Sequence, residues 1–242
     1  MQFLFEQTVD GNRYINWLMS GLAWTLALWV SAGICAFAIG IVVGSLRTSA
    51  SIGLSLVGRA YVQVFRNIPL IVQAFLWYFV LPEVVPASLG NAIKAMAPPW
   101  ASFVPALIAL SLYTASRIAE QVRAGINALP DGQLKASHAL GLTSLQAYRM
   151  ILLPQALRIT LPTLTSEALG LLKNTSVALT IGLLELTAQA QQINEFTFQT
   201  FGAFGSATII YLVTALIIYQ VAALFERRID VPGMNGNAGP RK

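Results

Sequence analysis

Residues 134 to 154 read LKASHALGLTSLQAYRMILLP. The stretch is short and amphipathic, with Lys135 and Arg149 facing water, and it lies between two strongly apolar runs. Its local signals predict two short helices joined at an angle. Asp131 is placed to cap the first, which runs through LKASHAL. Gly141 is placed to end it, because glycine takes the left-handed backbone conformation without steric cost. Thr143 then caps a second helix, and Gln146 three residues on completes a capping box. Pro154 fixes the chain where that helix meets the next apolar run. Leu140, Leu142, Leu145, Tyr148 and Leu152 offer apolar contacts. From these residues alone two uses are open. The pair packs on its own chain's apolar segments, or it is a rigid element that fits a groove on a partner.

The runs on either side decide what kind of protein carries this joint. Of 242 residues 56% are hydrophobic and 10% charged, against roughly 25% charged in soluble domains. So few charges cannot cover a soluble surface, so the composition predicts a single all-α, polytopic domain facing a lipid bilayer. A net charge of +5 does not point to nucleic acid, because the basic residues sit at the ends of apolar runs. Cys35 is the single cysteine, which excludes an intrachain disulfide and a multi-cysteine metal site. The first 19 residues carry Glu6 and Asp10 with only Arg13 as a base, unlike a signal peptide.

About 20 apolar residues cross the hydrocarbon core. On that length, five spans are expected, near Leu22–Leu46, Phe65–Val85, Ala101–Arg123, Ile151–Leu184 and Ala203–Leu224. A transmembrane domain would thus fill residues 1–228, with its joint at 131–154 and a Gly-, Pro- and Asn-rich flexible tail at 229–242. Five spans leave Arg13 and Lys94 on one side, Lys173 within a span, and the other twelve of the fifteen basic residues opposite. The positive-inside rule then places the N-terminus outside and the C-terminus and the joint in the cytoplasm.

The joint also matches a family pattern. Lys135-Ala136-Ser137, three residues, Gly141, nine residues and then Ile151-Leu152-Leu153-Pro154 resemble the EAA loop of ABC importer permeases, which reads E-A-A, three residues, G, nine residues, I-x-L-P. Lys135 replaces the acidic first position and Ser137 the second alanine. FRNIPLIVQAFLWY, LYTASRIAEQVRAGINALPDGQ and LLKNTSVALTIGLLELT resemble further segments of the polar amino acid (histidine/glutamine/glutamate-type) permeases. The details EQVRAGI, TSEALGLLKN and IGLLELTAQAQ are most similar to the glutamate/aspartate branch.

The resemblance implies a type I importer fold working by alternating access. It implies two cytoplasmic ATPase subunits, a second permease, a homologous companion in preference to an identical copy, and an external solute-binding protein. ATP and magnesium would be bound by the ATPases. This chain has no G-x-x-x-x-G-K-[ST] phosphate loop, and no cofactor of its own is expected. The implied ATPase-coupling residues are Lys135, Ala136, Ser137, His138, Leu140, Gly141 and Leu142. His138 is the single histidine and has no evident metal or nucleophile partner in the sequence, so docking or packing is expected of it.

The fourth expected span is unusually polar. Thr163, Glu167, Gly170 and Asn174 share one helical stripe, with Ser166 and Lys173 beside it. Such groups line a watery passage or hold helices together. The resemblance favours a passage for Asn174, Thr175 and Ser176. Related permeases can carry Asp at the Asn174 position, and a neutral Asn suits an anionic cargo. Arg66 and Arg117 are expected to anchor at the membrane interface. Against an intramembrane enzyme stands the lack of H-E-x-x-H and of an aspartate pair within the spans. Against a secondary transporter stands the lack of further spans and of an inverted repeat.

Overall fold

The computed structural model describes residues 4, 11, 13–130 and 132–229. Asp131, expected to cap the joint, and tail residues 230–242 lie outside the described residues. The elements are helices: α1 (Tyr14–Arg47), α2 (Ile52–Asn67), α3 (Leu70–Val84), α4 (Ala87–Lys94), α5 (Trp100–Asn127), α6 (Gly132–Ala139), α7 (Ser144–Ile181), α8 (Leu186–Thr197) and α9 (Thr200–Ile229). By length and composition α1, α5 and α9 can each cross a membrane, and five segments can if the bent pairs α2–α3 and α7–α8 each count as one span.

α1 runs uninterrupted because it holds no proline and no charge before Arg47. At 1.5 Å per residue it is about 50 Å long, so it begins well before the expected Leu22. It packs most extensively on α5, along a stripe of small residues four apart: Ala32, Ala36, Gly40 and Gly44. Small residues let two backbones approach, which holds helices together where lipid removes the hydrophobic drive. A Cβ at Gly40 would lie 2.5 Å from Ile118 Cγ2, and one at Gly44 2.7 Å from Val122 Cβ. Gly40→Val is therefore expected to lower stability by about 1–3 kcal/mol, read as a lower thermal midpoint in detergent. Gly33→Ala is the control, since its methyl would rest 3.6 Å from Leu171 in ordinary contact. Equal midpoints for the two variants would contradict this packing.

The second span departs from expectation. Instead of one helix over Phe65–Val85, the chain leaves the helix at Ile68 and bends by 100° between α2 and α3. The cause is Pro69, which disfavours helical backbone at the residue before it. Gln73 Nε2 donates to the carbonyls of Phe65 (2.8 Å) and Ile68 (3.0 Å) freed at the bend. α2 climbs from the Arg47 end of α1 to the middle of α5, where Tyr61 Oη donates to the Leu112 carbonyl at 3.0 Å. Arg66, counted with the cytoplasmic charges, is thereby carried away from the Arg47 end.

The fourth span also differs. The short second helix of the joint does not stop at Pro154 but continues into the span as α7. Its first turn, Ser144–Ala147, leads into a π turn at Tyr148–Leu152, then α-helix over Leu153–Asn174 and a 3-10 stretch over Thr175–Ile181. Proline lacks an N–H and its ring crowds the carbonyl four residues back. The wider π turn before Pro154 relieves that crowding. α3 repeats the arrangement, with a π turn at Leu76–Val80 before Pro82. Gly182, at φ +83, ends the 3-10 stretch, and α8 follows after a 51° bend, beyond the expected limit at Leu184.

Candidate functional site

The joint is built as its sequence predicts, and two interlocking devices hold it. At the end of α6, Gly141 has φ +81. Its N–H donates to the His138 carbonyl (2.9 Å) and the Leu142 N–H to the Ser137 carbonyl (3.1 Å). This is the Schellman pattern that satisfies the last carbonyls of a helix. At the start of α7 the Thr143 N–H donates to Gln146 Oε1 (2.8 Å), and the Gln146 N–H donates to Thr143 Oγ1 (3.3 Å). His138 Nε2 lies 3.3 Å from Ser144 Oγ, bridging the two helices.

The turn divides cleanly into a free face and a seat. Lys135, Ala136, His138, Leu140 and Gly141 are exposed, and Leu142 is half-buried. Leu140 and Leu145 are 80% and 78% exposed, large apolar side chains on an open ridge. Ser137, named with the docking residues from sequence, is instead 1% exposed, its Oγ donating to the Gln133 carbonyl. Ala147 is buried beside it in the seat. Gln133 Nε2 donates to Gln155 Oε1 (3.0 Å), and Tyr148 Oη donates to the Thr48 carbonyl (2.6 Å) at the end of α1. At the same pole Glu120 of α5 pairs with both Arg47 and Arg123.

The polar residues of α7 form a second cluster. Glu167 is buried and accepts from Arg117 Nε at 2.6 Å and Nη2 at 3.1 Å. Arg117, for which interface anchoring was expected, thus holds a two-point ion pair within the helices, and its side chain remains 45% exposed. Asn174 is half-buried one stripe further along, about 10 Å up the helix, and Lys173 is exposed. The hydroxyls of Thr163 and Ser176 donate to carbonyls three residues back, those of Thr160 and Lys173. Thr175 is wholly buried, bonded to the Leu172 carbonyl, so in this conformation it packs rather than lines. Glu167 and Arg117 are thus brought together, Asn174 lies two turns along the same helix as Glu167, and Thr175 is turned inward.

Residues 36–231 match the family described as the inner membrane component of binding-protein-dependent transport systems. The chain belongs to that family. Over 235 residues it is 42% identical to the glutamate/aspartate import permease protein GltJ of Escherichia coli strain K12, covering 97% of this chain and 96% of that one. It is 30% identical to the glutamate/aspartate import permease protein GltK of Escherichia coli O6:H1, covering 88% and 94%. Among solved structures, that of an amino acid ABC transporter with histidines matches at TM-score 0.74 and 32% identity, covering 89% of this chain and 95% of that one. The chain is therefore a membrane permease subunit with the type I ABC importer fold.

The permease also holds functional geometry that sequence reasoning missed. Glu185 is completely buried between α7 and α8. Its carboxylate accepts from the N–H groups of Thr187 (3.0 Å) and Ala188 (2.9 Å), capping α8, and from Tyr211 Oη of α9 (2.8 Å). The Leu186 N–H donates to Thr25 Oγ1 of α1 at 3.1 Å. One junction thus joins α1, α8 and α9. Its signal in the sequence was Gly182 followed by a carboxylate before a polar helical pattern, which reads as a helix stop and a new N-cap.

Proposed function

We propose that this permease imports acidic amino acids, glutamate and aspartate, by alternating access driven by partner ATPases. The observation that carries the ATP-driven reading is the rigid, outward-turned joint at 132–147, whose exposed Lys135, Ala136, His138, Leu140 and Gly141 offer a docking ridge at the pole of Arg47. In this reading two cytoplasmic ATPases bind ATP and its magnesium ion, and their closure displaces the joint. The permease moves cargo and does not itself hydrolyse ATP. A rigid-body switch between two packed states then opens the passage to one side at a time.

The cargo assignment rests on likeness to GltJ and GltK, named as glutamate/aspartate import permeases. The neutral Asn174 fits it, since it adds no carboxylate to repel an anion in a low-dielectric setting. Two such relatives also support a homologous second permease, and the family name supports an external binding protein. The distribution of basic residues supports an N-terminus outside, with the joint and the C-terminus in the cytoplasm. Lys94, paired with Glu83 at 2.6 Å, then lies on the outer face.

Asn174→Asp tests the cargo. Glutamate uptake into proteoliposomes is expected to fall about tenfold, as a second carboxylate repels the substrate, while the ATPase still co-purifies. Equal loss of uptake and ATPase docking would mean misfolding instead. Unchanged glutamate uptake would remove Asn174 from the passage.

A further inference from the structure

Among the described residues, two side-chain hydrogen bonds tie the joint down. The Gln133–Gln155 bond closes α6 onto α7, the joint's own continuation. The other leaves it: Tyr148 Oη reaches the Thr48 carbonyl, 100 residues away, at 2.6 Å. Thr48 is the residue that caps α1. Next to it, Arg47 pairs with Glu120 of α5, which also holds Arg123, and the Arg47 carbonyl accepts from Ser55 Oγ of α2 at 3.3 Å. The acceptor of the tyrosine is thus fixed to a node shared by α1, α2 and α5.

The surroundings of that bond are open. A hollow of about 270 Å³ lies between the joint and the node, lined by Thr48, Ile126, Pro130, Leu134, Tyr148 and Leu152 among others. Atoms that face a gap give up the contacts through which packed side chains hold one another, so on this side the joint is held by the Tyr148 ring, which packs against the apolar cluster that includes Ala36, Ile126 and Ala156, and by its hydroxyl. The covalent route into the span runs through the π turn Tyr148–Leu152, whose hydrogen-bonded ladder is widened. Among the described residues, the tyrosine hydroxyl makes the direct side-chain hydrogen bond from the joint to α1.

We propose that Tyr148 is a positioning residue of the transport cycle: through its hydrogen bond to Thr48 it carries the movement of the docking joint to α1, so that α1 and α7 shift together. The proposal rests on the reading of the joint as the ATPase-docking element. A hydroxyl that only stabilised the joint would act on docking and thermal stability alone. One that transmits movement acts on the ratio of substrate carried to ATP hydrolysed.

Tyr148→Phe separates these roles, because it keeps the ring against the hollow and deletes only the donor. The assembled transporter is reconstituted in proteoliposomes with its ATPases, second permease and glutamate-loaded binding protein. Uptake and hydrolysis are measured on the same vesicles. With ATPase co-purification and thermal midpoint near those of the parent, the transport-to-hydrolysis ratio is expected to fall about fivefold, the factor that one ordinary hydrogen bond supplies. Stimulation of hydrolysis by the loaded binding protein should fall with it. An unchanged ratio with the ATPase bound overturns the tie and leaves the docking reading intact. Absence of any ATPase from the parent complex overturns the docking reading, and the tie with it.

Discussion

Gly141→Val is expected to leave the permease in the membrane and to abolish most of its uptake. A Cβ at this position meets nothing within 4 Å, so the effect is conformational and not a clash. At φ +81 a β-branched residue is strained by about 1–2 kcal/mol. Leaving that conformation also releases the Ser137 and His138 carbonyls from the N–H groups of Leu142 and Gly141, each bond worth about 1 kcal/mol. The native angle of the joint then falls about thirtyfold in population for about 2 kcal/mol lost. ATP-dependent uptake should drop by about tenfold or more on that scale. Gly141→Asn should keep most of it, because asparagine tolerates left-handed backbone. Normal uptake by the valine variant would show that the angle between α6 and α7 does not matter to transport.

Glu185→Ala is expected to fail earlier, at folding. The carboxylate is inaccessible to water and receives three donors, from Thr187, Ala188 and Tyr211. Alanine leaves the N–H groups of Thr187 and Ala188 without their acceptor, at about 1–3 kcal/mol each, and it leaves Tyr211 Oη with Thr187 Oγ1 at 3.2 Å. A total of about 3 kcal/mol or more is a large share of a stability of about 5–15 kcal/mol. The measurement is recovery of monodisperse protein from membranes and its thermal midpoint. Glu185→Gln keeps one acceptor oxygen and should recover part of the loss, while Tyr211→Phe removes a single donor and should cost least. A monodisperse alanine variant with the parent's midpoint would contradict the junction.

The features legible from sequence were local ones. Gly141 and the Thr143–Gln146 box are set by residues at most a few positions apart, and their geometry follows the pattern. The long apolar runs of α1, α5 and α9 follow from composition. Long-range partners were not legible: nothing near Arg117 announces Glu167, 50 residues away, or near Tyr148 the carbonyl of Thr48. Two misplacements had local signals that hydropathy outweighed. Pro69 marks the α2–α3 bend and Gly182 the end of α7, yet both lie inside runs apolar enough to read as unbroken spans. Thr175, given to the passage by the family resemblance, is instead buried where the backbone tightens to 3-10 and the angular step per residue changes.

The π turn at Tyr148–Leu152 sets a phase. It adds one residue to the winding between the ridge of Leu140 and Leu145 and the face of Glu167 and Asn174. Each residue of an α-helix advances the face by about 100°. Deleting one residue there would be absorbed by a return to α-helix, whereas deleting one from the α-helix between Leu153 and Glu167 would swing Glu167 about a quarter turn away from Arg117. The permease therefore has a keyed shaft, where length is as constrained as chemistry: every side chain could survive such a deletion and the ridge would still turn the wrong face toward the cargo.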